Sequence, residues 1–396
     1  ILLPLVALVM LAIVLVAPRR ALTTEAVIRL LVGGTLTAAI MTTSHPAALV
    51  VLWVLSLLPT WLSTRATPGG RPTARAFAIA MTAGSLVFAA GVGLMVIDPP
   101  WAAGAGATGA AGGWLVALAV MIRKGIAPFH SWYPALFTAA PMSAALAATM
   151  PQVASYAAIR LLVGHAEGVR LELIVLSQAA IVTATYGAAL AMVQRDVRGL
   201  VGMLALSQSA MVLAGLSGSL AMELCGALAI WISSGLALTG IGLVAWALES
   251  RAGKLELDTP QGRFADAPAL AAFFLLFGLA SLGFPGTLSF VADDLIVAGS
   301  LGDQPHAGVL VIVATVFSAI AVVRGWFRIF GGPAAADAPR HQVLRRERIP
   351  LIVILAVLFG LGLWPGPLVQ SLERVAESLL LSRRPTAAAS HPGVQP

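Results

Sequence analysis

Apolar residues run along this chain in stretches of about twenty separated by short polar intervals. That spacing predicts one membrane-spanning helix per stretch, because ~20 residues at 1.5 Å per residue cross the hydrocarbon core. Twelve stretches are readable, at 1–17, 26–43, 46–62, 76–97, 113–138, 142–164, 173–193, 199–216, 221–248, 266–299, 308–330 and 350–370. The rhythm fails twice. The fifth stretch is interrupted by Gly125 and Pro128, and the tenth, too long for one straight span, by Gly283-Phe284-Pro285-Gly286. A break frees backbone groups that lipid cannot satisfy, so it survives only beside a polar cavity or a neighbouring helix. Breaks in corresponding places five segments apart point to an inverted-repeat transporter with its polar path at the breaks.

The expected fold is therefore an all-α polytopic membrane protein of about twelve transmembrane helices, with two inverted five-helix repeats that each contain one broken helix. Its parts are an N-terminal helix and loop (1–25), a first repeat (26–164, broken at about 113–138) and a second repeat (173–330, broken at about 266–299). A basic loop (331–349) and a last helix with a polar tail (350–396) complete it.

Composition agrees with this reading. With 59% hydrophobic and 10% charged residues, the chain is far from the ~25% charged residues of a soluble domain. The net charge of +7 is spread singly and in pairs between apolar runs rather than gathered on one face, which excludes a nucleic-acid surface. Instead the basic residues alternate. Loops after odd-numbered stretches hold Arg19 and Arg20; Arg65, Arg71 and Arg75; Arg195 and Arg198; Arg251, Lys254 and Arg263; and Arg340, Arg345, Arg346 and Arg348. The other loops are nearly bare apart from Arg170, which stands between Glu167 and Glu172. By the positive-inside bias the odd loops are cytoplasmic and both ends of the chain lie outside. The nine tryptophans are expected as interfacial anchors. Cys225 stands alone, so no intramolecular disulfide or thiolate metal cage is expected. The opening stretch carries its basic pair after the apolar run, the reverse of a signal peptide, and the chain is expected to begin partway into a longer fold.

No Gly-rich phosphate loop, no His or Cys set at haem or zinc spacing and no long soluble segment appears, so no cofactor is expected in this chain. The chemistry sits at the first break. Counted from Gly113, Arg123 lies roughly 15 Å into the membrane, about half its thickness. A charge there costs at least ~2.5–3.5 kcal/mol on insertion scales.

The run Arg123-Lys-Gly-Ile-Ala-Pro-Phe-His-Ser-Trp-Tyr-Pro, then Ala-Pro-Met-Ser-Ala-Ala-Leu, then Tyr156-Ala-Ala-Ile-Arg160, resembles the seventh and eighth helices of the antiporter-like subunits of respiratory complex I and of the Mrp sodium/proton antiporters. The segment from Asp196 to Gln208 and the segment from Leu279 to Asp293 resemble later motifs of that family in the same order. The likeness covers nearly the whole chain and is nearest to the M-type subunit of NADH:quinone oxidoreductase, with the first two of fourteen helices absent.

The resemblance implies a proton- or cation-translocating subunit in the cell's inner (plasma) membrane, partnered by other membrane subunits and driven by one of them. Titratable groups buried at mid-membrane would carry the ion. The family lysine falls at Arg123, with Lys124 one step and about 100° further round the helix. Arginine holds its proton under nearly all conditions, so Lys124 is the candidate carrier and Arg123 a fixed charge. The alternative is that the pair anchors the broken helix through freed carbonyls. Val54 stands where the family has its pairing acid, Gln152 where it has a second lysine, and Gln208 and Ser234 where it has histidines. Gln and Ser can hold a water wire but do not titrate. Asp293 matches the exit acid, with Asp294 beside it or turned to outer water. His130 is expected to bond loop carbonyls, and Glu223 to touch outer water. Two other readings stay open: the membrane subunit of an inorganic-carbon accumulating complex partnered with a zinc carbonic-anhydrase-like protein, and a non-conducting scaffold.

Overall fold

A computed structural model describes residues 2–100, 106–165, 168–333 and 343–381. Their regular structure is helical: α1 (Leu2–Val16), α2 (Thr24–Thr42), α3 (Pro46–Leu55), α4 (Leu58–Ala66), α5 (Arg71–Ile97), α6 (Ala107–Lys124), α7 (Trp132–Ala139), α8 (Met142–Thr149) and α9 (Val153–Leu161) precede α10 (Arg170–Ala191), α11 (Val197–Ala214), α12 (Ala221–Ala252), α13 (Pro268–Ser281), α14 (Leu288–Asp303), α15 (Pro305–Phe330), α16 (Arg345–Leu363) and α17 (Gly366–Leu381). Seven spans among the described residues are long and apolar enough to cross a membrane, with α3 and α4 taken as one, or eight if α16 and α17, bent by 77°, are joined.

Both expected breaks are present, and each has a local cause. Gly125 adopts a left-handed backbone (φ +71°) and the Ile126 N–H closes back on Met121 O at 2.9 Å, which ends α6. Gly283 (φ +70°) and Gly286 (φ +90°) separate α13 from α14. Two further interruptions fall where unbroken helices were expected. The stretch 46–62 is divided at Ser56 and Leu57, where Leu57 N–H bonds Val54 O instead of continuing the helical pattern and Pro59 offers no N–H. The stretch 142–164 is divided at Met150-Pro151-Gln152, and Gln152 itself is left-handed (φ +55°). Pro151, which offers no N–H, accounts for this break from within the expected span.

The last helix also differs from expectation. α16 begins at Arg345 rather than 350, because Glu347 Oε2 accepts the Leu344 N–H at 3.1 Å and pairs with Arg251. A second helix, α17, occupies much of the expected tail and lays Leu372 and Ala376 inward, next to α12, where Cys225 Sγ meets Val369 O. The remainder of the tail, and Arg340, Glu167 and Trp101, lie outside the described residues.

α12 is the axis of the molecule. Every residue from Glu223 to Leu248 is buried, with α1, α8, α11, α13, α14, α16 and α17 packed around it. Close approach is set by small residues: a Cβ on Gly226 would meet the α14 backbone at Ile296, and one on Gly91 would meet Gly112 O of α6 at 2.9 Å. The α5–α6 contact also sets depth. Gly84 is the middle residue of the 27-residue α5 and packs on Ile122, so Arg123 and Lys124 lie level with the middle of α5, although α6 begins at Ala107 rather than at Gly113, from which their depth was counted.

The basic loops gather at one end. Arg20 donates to Ser250 O (2.9 Å), Arg198 to Ala140 O (3.0 Å), Arg324 to Gln194 O (3.0 Å) and Arg346 to Ala17 O (3.0 Å). Each guanidinium thus caps carbonyls left open at the end of α12, α7, α10 or α1. Replacing Gly125 by Ala forces a Cβ into the left-handed region and toward Tyr133 Cβ at 3.1 Å. The expected result is a loss of ~1–2 kcal/mol, read as a lower thermal midpoint of the detergent-purified protein.

Candidate functional site

Lys124 is the last residue of α6, and the turn at Gly125 aims its side chain at the break between α8 and α9. Lys124 is 3% exposed. Its Nζ donates to Gln152 Oε1 at 2.5 Å and to Ser155 Oγ at 2.6 Å. Gln152 then donates from Nε2 to Ser234 Oγ of α12 at 3.3 Å. One position further back, Pro151 O accepts the Trp231 indole N–H at 3.1 Å, which ties the same break to α12. A carboxamide suits this place because it accepts from a cation on one side and donates on the other. Ionic partners are absent: no ion pair among the described residues includes Lys124.

Arg123 points the other way. Nη1 donates to Trp53 O at 2.8 Å, Nη2 to Ser56 Oγ at 2.7 Å, and the guanidinium lies 4.1 Å from the Trp53 ring centroid. Trp53 in turn stacks on Phe88 at 4.1 Å. The Trp53 carbonyl is available because the α3–α4 break leaves it out of the helical ladder. Arg123 bonds a freed carbonyl, although of another interrupted span than the one anticipated, and Lys124 bonds the side chains of Gln152 and Ser155. Val54 is 41% exposed and turned away from both. Trp53, Trp132, Trp231 and Trp246 are core residues rather than interfacial anchors: the Trp53 ring packs on Phe88 and Arg123, and the Trp132 and Trp231 indoles donate to the interior carbonyls of Ile122 and Pro151.

A cavity of about 430 Å³ leads from the basic end to this place. Arg20, Thr67 and Pro68 line it at that end, Ser56, Met81 and Arg123 at mid-height. No Asp or Glu is among its lining residues.

The other anticipated residues stand apart from the Lys124 row. Gln208 is buried on α11 and makes no hydrogen bond to that row among the described residues. Asp293 is half-buried on α14 beside the Gly283 turn, and Asp294 is exposed, midway along the helix rather than at its end. His130 does not bond loop carbonyls. Its ring meets Tyr186 edge-on at 5.1 Å and its buried Nδ1 has no partner among the described residues, while the loop is held by Ala127 N–H to Thr183 Oγ1 (3.0 Å) and Trp132 Nε1–H to Ile122 O (3.0 Å). Glu223 is 1% exposed, covered by Gly218 and Gly299, not at outer water. Ser155 escaped sequence reading, though it lies three residues after Gln152 on the helix that follows; Ser56 carried no sequence signal.

Residues 71–318 match the profile of a family described as "NADH:quinone oxidoreductase/Mrp antiporter, TM". The chain is 28% identical over 267 residues to NADH-quinone oxidoreductase subunit M of Pseudomonas aeruginosa, covering 65% of this chain and 51% of the relative. To subunit M of Escherichia coli it is 24% identical, covering 65% and 52%. It therefore spans about half the length of these curated relatives. Among solved structures, a chain of respiratory complex I from Thermus thermophilus superposes with a TM-score of 0.88 at 22% identity, covering 96% of this chain and 84% of that one. A chain of the Mrp complex from Dietzia superposes with 0.84 at 17% identity, covering 97% and 83%.

Proposed function

The chain belongs to the NADH:quinone oxidoreductase/Mrp antiporter transmembrane family, and on that premise we propose that it is a proton- or cation-translocating membrane subunit of a multi-subunit energy-coupling complex in the inner (plasma) membrane. Counting α3–α4, α6–α7, α8–α9 and α13–α14 as one interrupted span each, together with α1 and α16, gives twelve spans. Two inverted five-helix repeats, 26–164 and 173–330, would then each hold an interrupted helix in the same place.

The observation that carries the reading is the row Lys124–Gln152–Ser234, which joins α6 to the central helix at half depth through side chains alone. Lys124 is the titratable member. Gln152, Ser155 and Ser234 orient it and offer hydrogen-bonding sites for water, so a proton leaving the ammonium passes to water held beside that row, the carboxamide and hydroxyls themselves keeping their protons. The cavity from the basic end reaches Arg123, the neighbour of the row's lysine. Asp293 and Asp294 supply acceptors on the far interrupted span.

Gln152→Leu removes the shared partner and leaves Lys124 facing a methyl group. Proton flux into proteoliposomes holding the protein with the subunits that copurify with it should fall by roughly tenfold, the effect of ~1.4 kcal/mol on a barrier. Asp293→Asn should slow flux less, because Asp293 is not bonded to the row. Equal flux in wild type, Gln152→Leu and Lys124→Ala would instead favour the scaffold reading.

A further inference from the structure

We propose that the cavity enclosed by α2, α4 and α8 binds an oxyanion, the phosphate-type group of either a free ion or a lipid head, seated against Arg123. Charge makes the first argument. The lining residues include Arg20, Arg29 and Arg123 and no Asp or Glu. Arg29 is paired with Glu25 at 2.6 Å, and that carboxylate is turned outward with a 76% exposed side chain. Arg123 has no acidic partner among the described residues.

Energetics makes the second. Holding an ion away from water costs several kcal/mol, whereas the Trp53 ring returns ~0.5–2 kcal/mol and the two hydrogen bonds at Trp53 O and Ser56 Oγ are to neutral acceptors. Lys124, the next residue, also meets only neutral partners. Two adjacent cations thus lack a counter-charge within the described chain, and the cavity is the place where one can reach Arg123. A guanidinium has five N–H donors, and with two committed, three remain for an acceptor.

Space and lining make the third. A volume of about 430 Å³ is within the ~300–1,000 Å³ of small-ligand sites. Thr60 and Ser143 place hydroxyls on the same walls, and hydroxyl donors with a planar guanidinium are the groups that recognise phosphate-type oxygens. Metal cations are disfavoured by the same lining. The inference does not depend on ion flux through Lys124, so the two can fail separately.

The test measures thermal stability of the purified protein, with its copurifying subunits, in phosphatidylcholine nanodiscs. Sodium phosphate is titrated against sodium chloride at equal ionic strength, and in a second arm phosphatidylglycerol replaces part of the phosphatidylcholine. A rise in melting temperature with phosphate assigns the site to a free oxyanion, and a rise with phosphatidylglycerol alone assigns it to a lipid head; either supports the proposal if Arg123→Gln weakens the apparent affinity roughly tenfold or more. Should Arg123→Gln fail to fold, Arg20→Gln at the cavity mouth serves in its place, with a smaller loss expected. No stabilisation of wild type in either arm, or the same stabilisation in wild type and the arginine variants, overturns it.

Discussion

Lys124→Arg is expected to reduce proton flux as severely as Lys124→Ala, by on the order of a hundredfold, the scale of a lost proton-transfer group. The paired substitutions separate two roles that a single change confounds. If Lys124 acted only as a buried positive charge, arginine would substitute for it. An arginine keeps its proton at all accessible pH values, so a carrier role predicts that both variants stop flux while only the alanine variant removes the charge. Geometry sharpens the contrast, since the ammonium is held by Gln152 at 2.5 Å and Ser155 at 2.6 Å, and a planar fork cannot satisfy both from the same point. The measurement is pH-dye quenching in proteoliposomes under an imposed potential. Full flux in Lys124→Arg would remove the lysine from the path.

The largest expected effect on stability is at the basic end. Glu347 is 2% exposed, pairs with Arg251 at 2.5 Å and accepts the Leu344 N–H that opens α16. Replacing it by Ala leaves Arg251 largely buried without its counter-charge and unties the last span from α12. Breaking a buried pair from one side costs about 3–5 kcal/mol. Arg251 keeps some solvent contact through a 15% exposed side chain, which places the expected loss at the lower end of that range. Thermal unfolding of Glu347→Ala and of the double variant with Arg251→Met checks it. The double variant should recover part of the loss, because no unpaired charge then remains.

Much of this architecture was legible in the chain, and the failures share a cause. Apolar stretches of about twenty residues locate the spans, and glycine and proline mark the breaks at Gly125 and Gly283. The break at Gln152 was missed although Pro151 stands inside the expected span and offers no helical N–H; what the residue pattern does not announce is the left-handed backbone of Gln152 beside it. The same blindness hid the partners of the basic pair. Arg123 bonds a carbonyl seventy residues earlier and Lys124 a serine thirty-one residues later, and such pairings arise from packing rather than from period. The family resemblance still located members of the polar row: Lys124, Gln152 and Ser234 were all candidates, whereas nothing in the resemblance distinguished them from Gln208 or His130, which the fold puts elsewhere. Glu223 was misplaced because position near a helix end suggests water, while Gly218 and Gly299 allow the chain to close over it.

The divergence of Arg123 and Lys124 has a mechanical corollary. They are neighbours on one rigid turn, clamped to different bodies: the first to the bend at Trp53, the second to the bend at Gln152. A rotation of the α6 tip turns both backbone positions through the same angle, so a substitution that frees Lys124 from Gln152 is expected to disturb the Arg123 contacts with Trp53 and Ser56 as well.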